Sequence, residues 1–297
     1  MKRLVVKIGS STLVTSDGRI DHAYLEGLAD QIARVRELGW QVVIVSSGAI
    51  ACGVERLRLE KRPTDMPGLQ AAASVGQPAF ASAYGDAFGR HDIITSLVLL
   101  TRRDTADRQA YLHARDTFSR LLDLGVVPIV NENDTVSVEQ IRFGDNDTLA
   151  ALVACLVSAD KAIILSDVEG LYDANPLQNE HARLISVVDE IDPSIMSVAG
   201  DAGSKLGSGG MITKLCAARV LSVAGIPLIV AAGRRDNVIV DIVKGEDVGT
   251  LFKPSAQKHE VTPRKLWIAL GDTARGTVVV DAGAKRALIE KGSSLLA

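Results

Sequence analysis

Along the chain, short runs of branched apolar residues alternate with stretches in which apolar positions recur every three or four residues. The first run, Leu4, Val5, Val6 and Ile8, predicts a buried strand, and residues 41–45, 93–100, 126–130, 162–165 and 226–231 predict further core strands, the last of them closing the sheet. Between the first two runs, Leu25, Leu28, Ile32 and Val35 fall on one face of a helix that Asp21 can cap and Gly39 can end. Residues 107–124 predict a second amphipathic helix carrying Tyr111, Ala114, Phe118 and Leu121 and closed by Gly125. An apolar helix is predicted over 148–157, another over 211–224 ending at Gly225, and a short one over 237–243. Residues 57–68 are charged and hold Pro63 and Pro67, a loop before an alanine-rich helical stretch that Pro78 should kink or restart. Residues 136–143 read as a short hairpin and 170–189 as an excursion such as a lid or hairpin. Strands alternating with helices define βαβ units around a mainly parallel sheet.

The polar residues that break this pattern gather where the strands end. Lys7 interrupts the first apolar run and is followed by Gly9-Ser10-Ser11. Burying an ammonium costs several kcal/mol unless an anion meets it, so Lys7 either faces an anion at the strand's C-terminal edge or snorkels off an edge strand. The second strand runs into Ser46-Ser47-Gly48-Ala49 and the fourth into Asn131-Glu132-Asn133-Asp134, while Ser166-Asp167 follows the fifth. Each can be a plain turn, yet all would lie along one edge of the sheet, where open α/β sheets bind ligands. Gly144-Asp145-Asn146-Asp147 precedes the apolar helix; one of these residues would suffice as an N-cap, and two carboxylates with an amide exceed what a cap requires. Residues 200–210 hold five glycines and lead through Gly207-Ser208-Gly209-Gly210 into Met211-Ile212-Thr213-Lys214. That is a flexible surface loop or an anion site made of exposed amides, a helix dipole and a lysine; it has neither Walker A nor GxGxxG spacing. Two lysines and two glycine turns among Asp/Asn clusters are what phosphoryl transfer needs, because cations must offset repulsion between an anionic acceptor and the transferring group.

Composition narrows the classes further. The chain has 297 residues, of which 47% are hydrophobic and only 4% aromatic, which suits a core of Val, Ile, Leu and Ala in helices over a parallel sheet. A net charge of −3 without any Lys/Arg run argues against a nucleic-acid surface. Cys52, Cys155 and Cys216 are odd in number and lack CxxC spacing, which fits a reducing cytosol. Lys7 and Gly9 break the apolar start too early for a signal peptide, and no apolar run reaches membrane-spanning length, so a soluble cytoplasmic protein is expected. Composition shifts after Phe252, which sets a boundary there with 253–263 as a linker.

Val-Val-Lys-Ile-Gly-Ser-Ser at 5–11, Val-Ser-Ser-Gly-Ala-Ile-Ala at 45–51, Asn-Glu-Asn-Asp at 131–134, Gly-Asp-Asn-Asp at 144–147 and Gly-Gly-Met-Ile-Thr-Lys at 209–214, in this order and spacing, closely resemble the amino-acid kinase family. Val75-Gly76-Gln77 resembles the branch that phosphorylates glutamate. The resemblance runs from about Lys2 to Phe252, which makes 1–252 the kinase domain, and implies a three-layer αβα sandwich around a mainly parallel sheet. It implies transfer of the γ-phosphoryl of MgATP to the side-chain carboxylate of L-glutamate, the first step of proline biosynthesis. By the same resemblance Lys7 and Lys214 are catalytic and Asp147 holds both lysines; Ser47, Asp134 and Asn146 bind glutamate. Lys7, Ser166, Asp167 and the segment Ser208, Gly209, Gly210, Met211, Ile212, Thr213 and Lys214 match nucleotide-binding positions, with Ser166 and Ser208 standing where threonine is expected. Magnesium would be held by phosphates and water rather than by protein ligands. Proline as feedback inhibitor and a homo-oligomer, dimer or tetramer, are implied too. Residues 264–297, with Trp267, Val278 to Val280 and a helix-like stretch over 282–289, resemble the beginning of a PUA domain without the length to close one. Sister kinases acting on aspartate, N-acetylglutamate, carbamate or UMP are the nearest alternative. A non-catalytic glutamate or proline sensor is a more distant one, and would be expected to lose Lys7, Lys214 or Asp147.

Overall fold

Leu4, Val6 and Ile8 point to one face of the first strand and Val5 and Lys7 to the other, so a single strand feeds two cores. The computed structural model describes residues 1–15, 17–101, 104, 107–137, 146–176, 179–201, 210–255 and 279–290. In chain order these form β1 (Lys2–Ile8), α1 (Ser10–Leu13), α2 (His22–Glu37), β2 (Trp40–Ser46), α3 (Ala49–Arg56), α4 (Met66–Gly89), β3 (Thr95–Leu100), α5 (Arg108–Asp123) and β4 (Val127–Glu132). There follow α6 (Asp147–Leu156), β5 (Lys161–Ser166), β6 (Val187–Val188), α7 (Pro193–Asp201), α8 (Met211–Val223), β7 (Leu228–Ala232), α9 (Val238–Lys244), β8 (Thr250–Phe252) and α10 (Ala282–Glu290).

The strands form one sheet in the order β3-β4-β2-β1-β5-β7-β8-β6, parallel throughout except where β8 runs against β7. Val5, Val43, Val45, Val130, Ile164 and Val230 pack against α5, α6 and α8 on one face. Leu4, Val6, Ile44, Ile129, Ile163 and Ile229 pack against α2, α4 and α9 on the other, giving three layers. β1 is central: β2 pairs on one side and β5 on the other, so the winding direction reverses there and the crevice for a ligand opens at its C-terminal end. Asp21 caps α2 by accepting from Tyr24 N at 3.0 Å, and Gly39, Gly125 and Gly225 leave their helices at φ of 85°, 74° and 76°. Among the described residues no helix is long and apolar enough to cross a membrane.

Three expectations change. α4 does not restart at Pro78 but continues past it as one helix, although a helix-interior proline forfeits a hydrogen bond at about 3 kcal/mol. Buried Phe80, Tyr84 and Phe88 on the same helix contribute about 1.5–3 kcal/mol each, which outweighs it. The strand over 226–231 is not the last, because β8 adds to β7; three residues are too few to show a period. α7 was not anticipated, although Asp192-Pro193 is an N-cap followed by a first-position proline and Asp192 Oδ1 accepts from Ile195 N at 3.0 Å. Residues 138–143 of the predicted hairpin and most of the PUA-like stretch, Trp267 included, lie outside the described residues.

Helices α3 and α4 touch backbone to backbone. A Cβ on Gly53 would sit 1.7 Å from Ala72 O and one on Gly76 1.8 Å from Ala49 O. Gly76→Ala is therefore expected to lower stability by about 1–3 kcal/mol or more, read as a lower urea midpoint.

Candidate active site

Ions and hydroxyls meet where β1, β2, β4 and β5 end and α6 and α8 begin. Alternation puts Lys7 on the face covered by α6 and α8, and those helices aim their first turns at it. Lys7 Nζ lies 2.5 Å from Asp147 Oδ1, and Lys214 Nζ lies 3.1 Å from Asp147 Oδ2. Their exposures of 5%, 0% and 4% for Lys7, Asp147 and Lys214 make this a buried trio rather than a surface ion pair. Lys7 thus faces an anion and does not snorkel. Burial acts to raise the Asp147 carboxyl, but Lys7 and then Lys214 overcome it and hold the group at about 2. Asp147 is ionised at neutral pH, and two ammonium groups on one carboxylate make the trio cationic.

Beside it, Asn146 ties three strand-end groups together. Its Nδ2 lies 2.8 Å from Ser46 O, 2.8 Å from Ser47 Oγ and 3.1 Å from Asn131 Oδ1. Ser46 Oγ in turn accepts from the buried Tyr84 hydroxyl at 2.7 Å, which anchors the β2 end to α4. Gly48, at φ 124°, lets β2 turn directly into α3; a Cβ there would meet Leu13 at 3.1 Å. A cavity of about 520 Å³ opens at this point, with Ser47, Asp134 and Asn146 in its wall together with Ser10, Ser11 and the loop residues Lys61 and Arg62. Burial pushes the Asp134 carboxyl up to about 6 against the pull of Arg62.

The structure thus brings Lys7, Asp147 and Lys214 into contact, and Ser47, Asp134 and Asn146 into one cavity; adjacency of Asn146 and Asp147 joins the two groups. Ser166 ends β5 and Asp167 follows it, with Ser166 Oγ donating to Asp167 Oδ1 at 3.0 Å, outside that cavity wall. Gly210, Met211, Ile212 and Thr213 begin α8, with Ile212 exposed, while Ser208 and Gly209 lie outside the described residues. Sequence reasoning passed over Tyr84, which carries no motif. It also passed over Asn131 within a recognised polar cluster, and over Lys61 and Arg62, read as part of a connecting loop.

A parallel sheet with a lysine at the end of its switch-point strand, locked through a buried carboxylate to a second lysine, defines a class of phosphoryl-transfer proteins. The chain belongs to the amino acid kinase family, whose model matches residues 2–232. The glutamate 5-kinase of Anaeromyxobacter dehalogenans (strain 2CP-C) is 49% identical over 100% of this chain and 78% of its own length. That of Moorella thermoacetica (strain ATCC 39073 / JCM 9320) is 46% identical over 99% of this chain and 78% of its own. The crystal structure of UMP kinase from Ureaplasma parvum shares the fold, with a TM-score of 0.58 at 17% identity over 85% of this chain and 98% of that one.

Proposed function

We propose that this protein transfers the γ-phosphoryl group of MgATP to the side-chain carboxylate of L-glutamate, forming γ-glutamyl phosphate and ADP as the first step of proline biosynthesis. The observation that carries it is the buried Lys7–Asp147–Lys214 trio beside a cavity walled by Asp134. The choice of glutamate is supported by relatives named glutamate 5-kinase at 45–49% identity.

A carboxylate oxygen of the substrate attacks the γ-phosphorus, and the bond from that phosphorus to the bridging oxygen breaks with its electron pair going to ADP. The attacking group is already ionised at neutral pH, so no general base is required. Asp147, at about 2, is accordingly a holder of lysines. The two ammonium groups meet the equatorial oxygens, where charge is spread in the transition state. Magnesium enters on the phosphates as part of the nucleotide substrate; ammonium and hydroxyl groups at this edge are donors suited to phosphate oxygens. By the resemblance, Ser166, Asp167 and the segment that carries Lys214 take the nucleotide, with Thr213 acting through Asp147 rather than by a contact of its own.

Asp134 takes the substrate's ammonium and Ser47 its α-carboxylate. Ser47, accepting from Asn146, keeps its own proton for the ligand. A carboxylate raised by burial gains most from a cation, so affinity follows Asp134 ionisation. The KM for glutamate is expected to rise as pH falls through about 6, measured between about pH 5 and 8, and Asp134→Asn should raise KM and flatten that dependence. An N-acetylated substrate has no ammonium for Asp134, which disfavours that sister activity.

Incubation with glutamate, ATP and magnesium in the presence of hydroxylamine should give a hydroxamate. The same assay with aspartate, N-acetylglutamate, carbamate or UMP, read by ADP release, should give far less turnover. A folded protein inert toward glutamate would overturn the reading. Cytoplasmic residence, inhibition by proline and a homo-oligomer belong to the same proposal; proline titration and sedimentation check the last two.

A further inference from the structure

We propose that Thr213 is a positioning residue of the phosphoryl-transfer site: its hydroxyl donates its single proton to Asp147 and so fixes which carboxylate oxygen serves each lysine. This rests on the kinase reading above.

Thr213 precedes Lys214 in the first turn of α8, and its Oγ1 lies 2.9 Å from Asp147 Oδ2 and 2.7 Å from Gly210 O. One proton therefore has two acceptors. Gly210 O already accepts the backbone N–H of Thr213 at 3.1 Å, and an ionised carboxylate is the stronger acceptor, so the proton goes to Asp147. Oδ2 then holds Thr213 and Lys214, and Oδ1 holds Lys7. Aspartate's terminal torsion is broad, and long, flexible lysine chains constrain it less than a short branched side chain does. A β-branched side chain stiff at χ1, gripping the carboxylate from the helix that also carries Lys214, removes that freedom.

There is a second consequence. With its hydroxyl proton on Asp147 and its N–H on Gly210, Thr213 has nothing left to donate to a phosphate, although it lies in the segment matched to nucleotide binding. Its loss should fall on kcat and spare the KM for ATP.

The test compares Thr213→Val, Thr213→Ala and Thr213→Ser in the full chain. Loss of a hydrogen bond to a charged group predicts a kcat lower by on the order of tenfold to a hundredfold in the valine and alanine variants, with both KM values nearly unchanged and serine restoring kcat. Carbon-13 titration of the Asp147 carboxyl, which Lys7 from β1 and Lys214 from α8 face, should show it titrating above its about 2 in the variants lacking the hydroxyl. Wild-type kcat and an unmoved titration in either hydroxyl-free variant that folds, or a loss confined to the KM for ATP, would overturn the inference. An inert wild-type protein would defeat the kinase reading instead, and the titration would still decide where the proton goes.

Discussion

Lys214→Ala is expected to lower kcat by roughly a thousandfold or more, the scale reached when a cation aimed at a transferring phosphoryl group is removed. The side chain is 5% exposed and held at 3.1 Å from Asp147, so no water-borne cation can take its place in the same geometry. Lys7 remains on Oδ1 and offsets charge from one side only. Glutamate binding should survive, because Ser47, Asp134 and Asn146 occupy a cavity whose wall does not include Lys214. ADP release gives kcat and calorimetry gives glutamate affinity. Normal turnover with lost glutamate binding would contradict the role assigned.

Removal of Asp147 has the largest expected effect on the fold itself. Asp147→Ala leaves two buried ammonium groups without the carboxylate between them, and breaking a buried ion pair in this way costs about 3–5 kcal/mol. Turnover should vanish along with the stability, since Lys7 and Lys214 repel once nothing holds them together. Urea unfolding at neutral pH measures the loss as a shift in midpoint. The pH dependence gives an independent check. In the folded protein the carboxyl titrates at about 2, below the ordinary 3.8, so its contribution is full above about pH 4 and is lost as pH falls through 2. Wild type and Asp147→Asn should therefore differ at neutral pH and converge in acid; a gap that stays constant from pH 7 to about 2 would show that the ionised carboxylate is not its source.

These two effects concern residues that the sequence marks and the structure joins. Lys7 was conspicuous because a charge inside Leu-Val-Val-Lys-Ile violates the strand's own pattern, and Asp147 because two carboxylates and an amide gather at the start of an apolar helix. The motifs at 5–11, 45–51, 131–134, 144–147 and 209–214, in that order and spacing, sufficed to suggest the family. Tyr84 was invisible: an aromatic in an alanine-rich helix reads as core, and its hydroxyl matters only because the β2 end arrives beneath it with Ser46. Asn131 was one of four candidates in its cluster until the Asn146 amide singled it out at 3.1 Å.

The chain alone determined the ends of the longer amphipathic helices, the cores of the longer strands and the mainly parallel sheet, because caps, glycine stops and apolar periods act over a few neighbouring residues. It also determined which polar groups sit at strand ends. Only the tertiary structure decided that β1 is the switch-point strand and that Lys7 and Lys214 share one carboxylate. It alone carried α4 through Pro78. Those outcomes depend on which strand pairs with which and on how helices pack across the sheet, and contacts between residues far apart in sequence leave no local pattern to read.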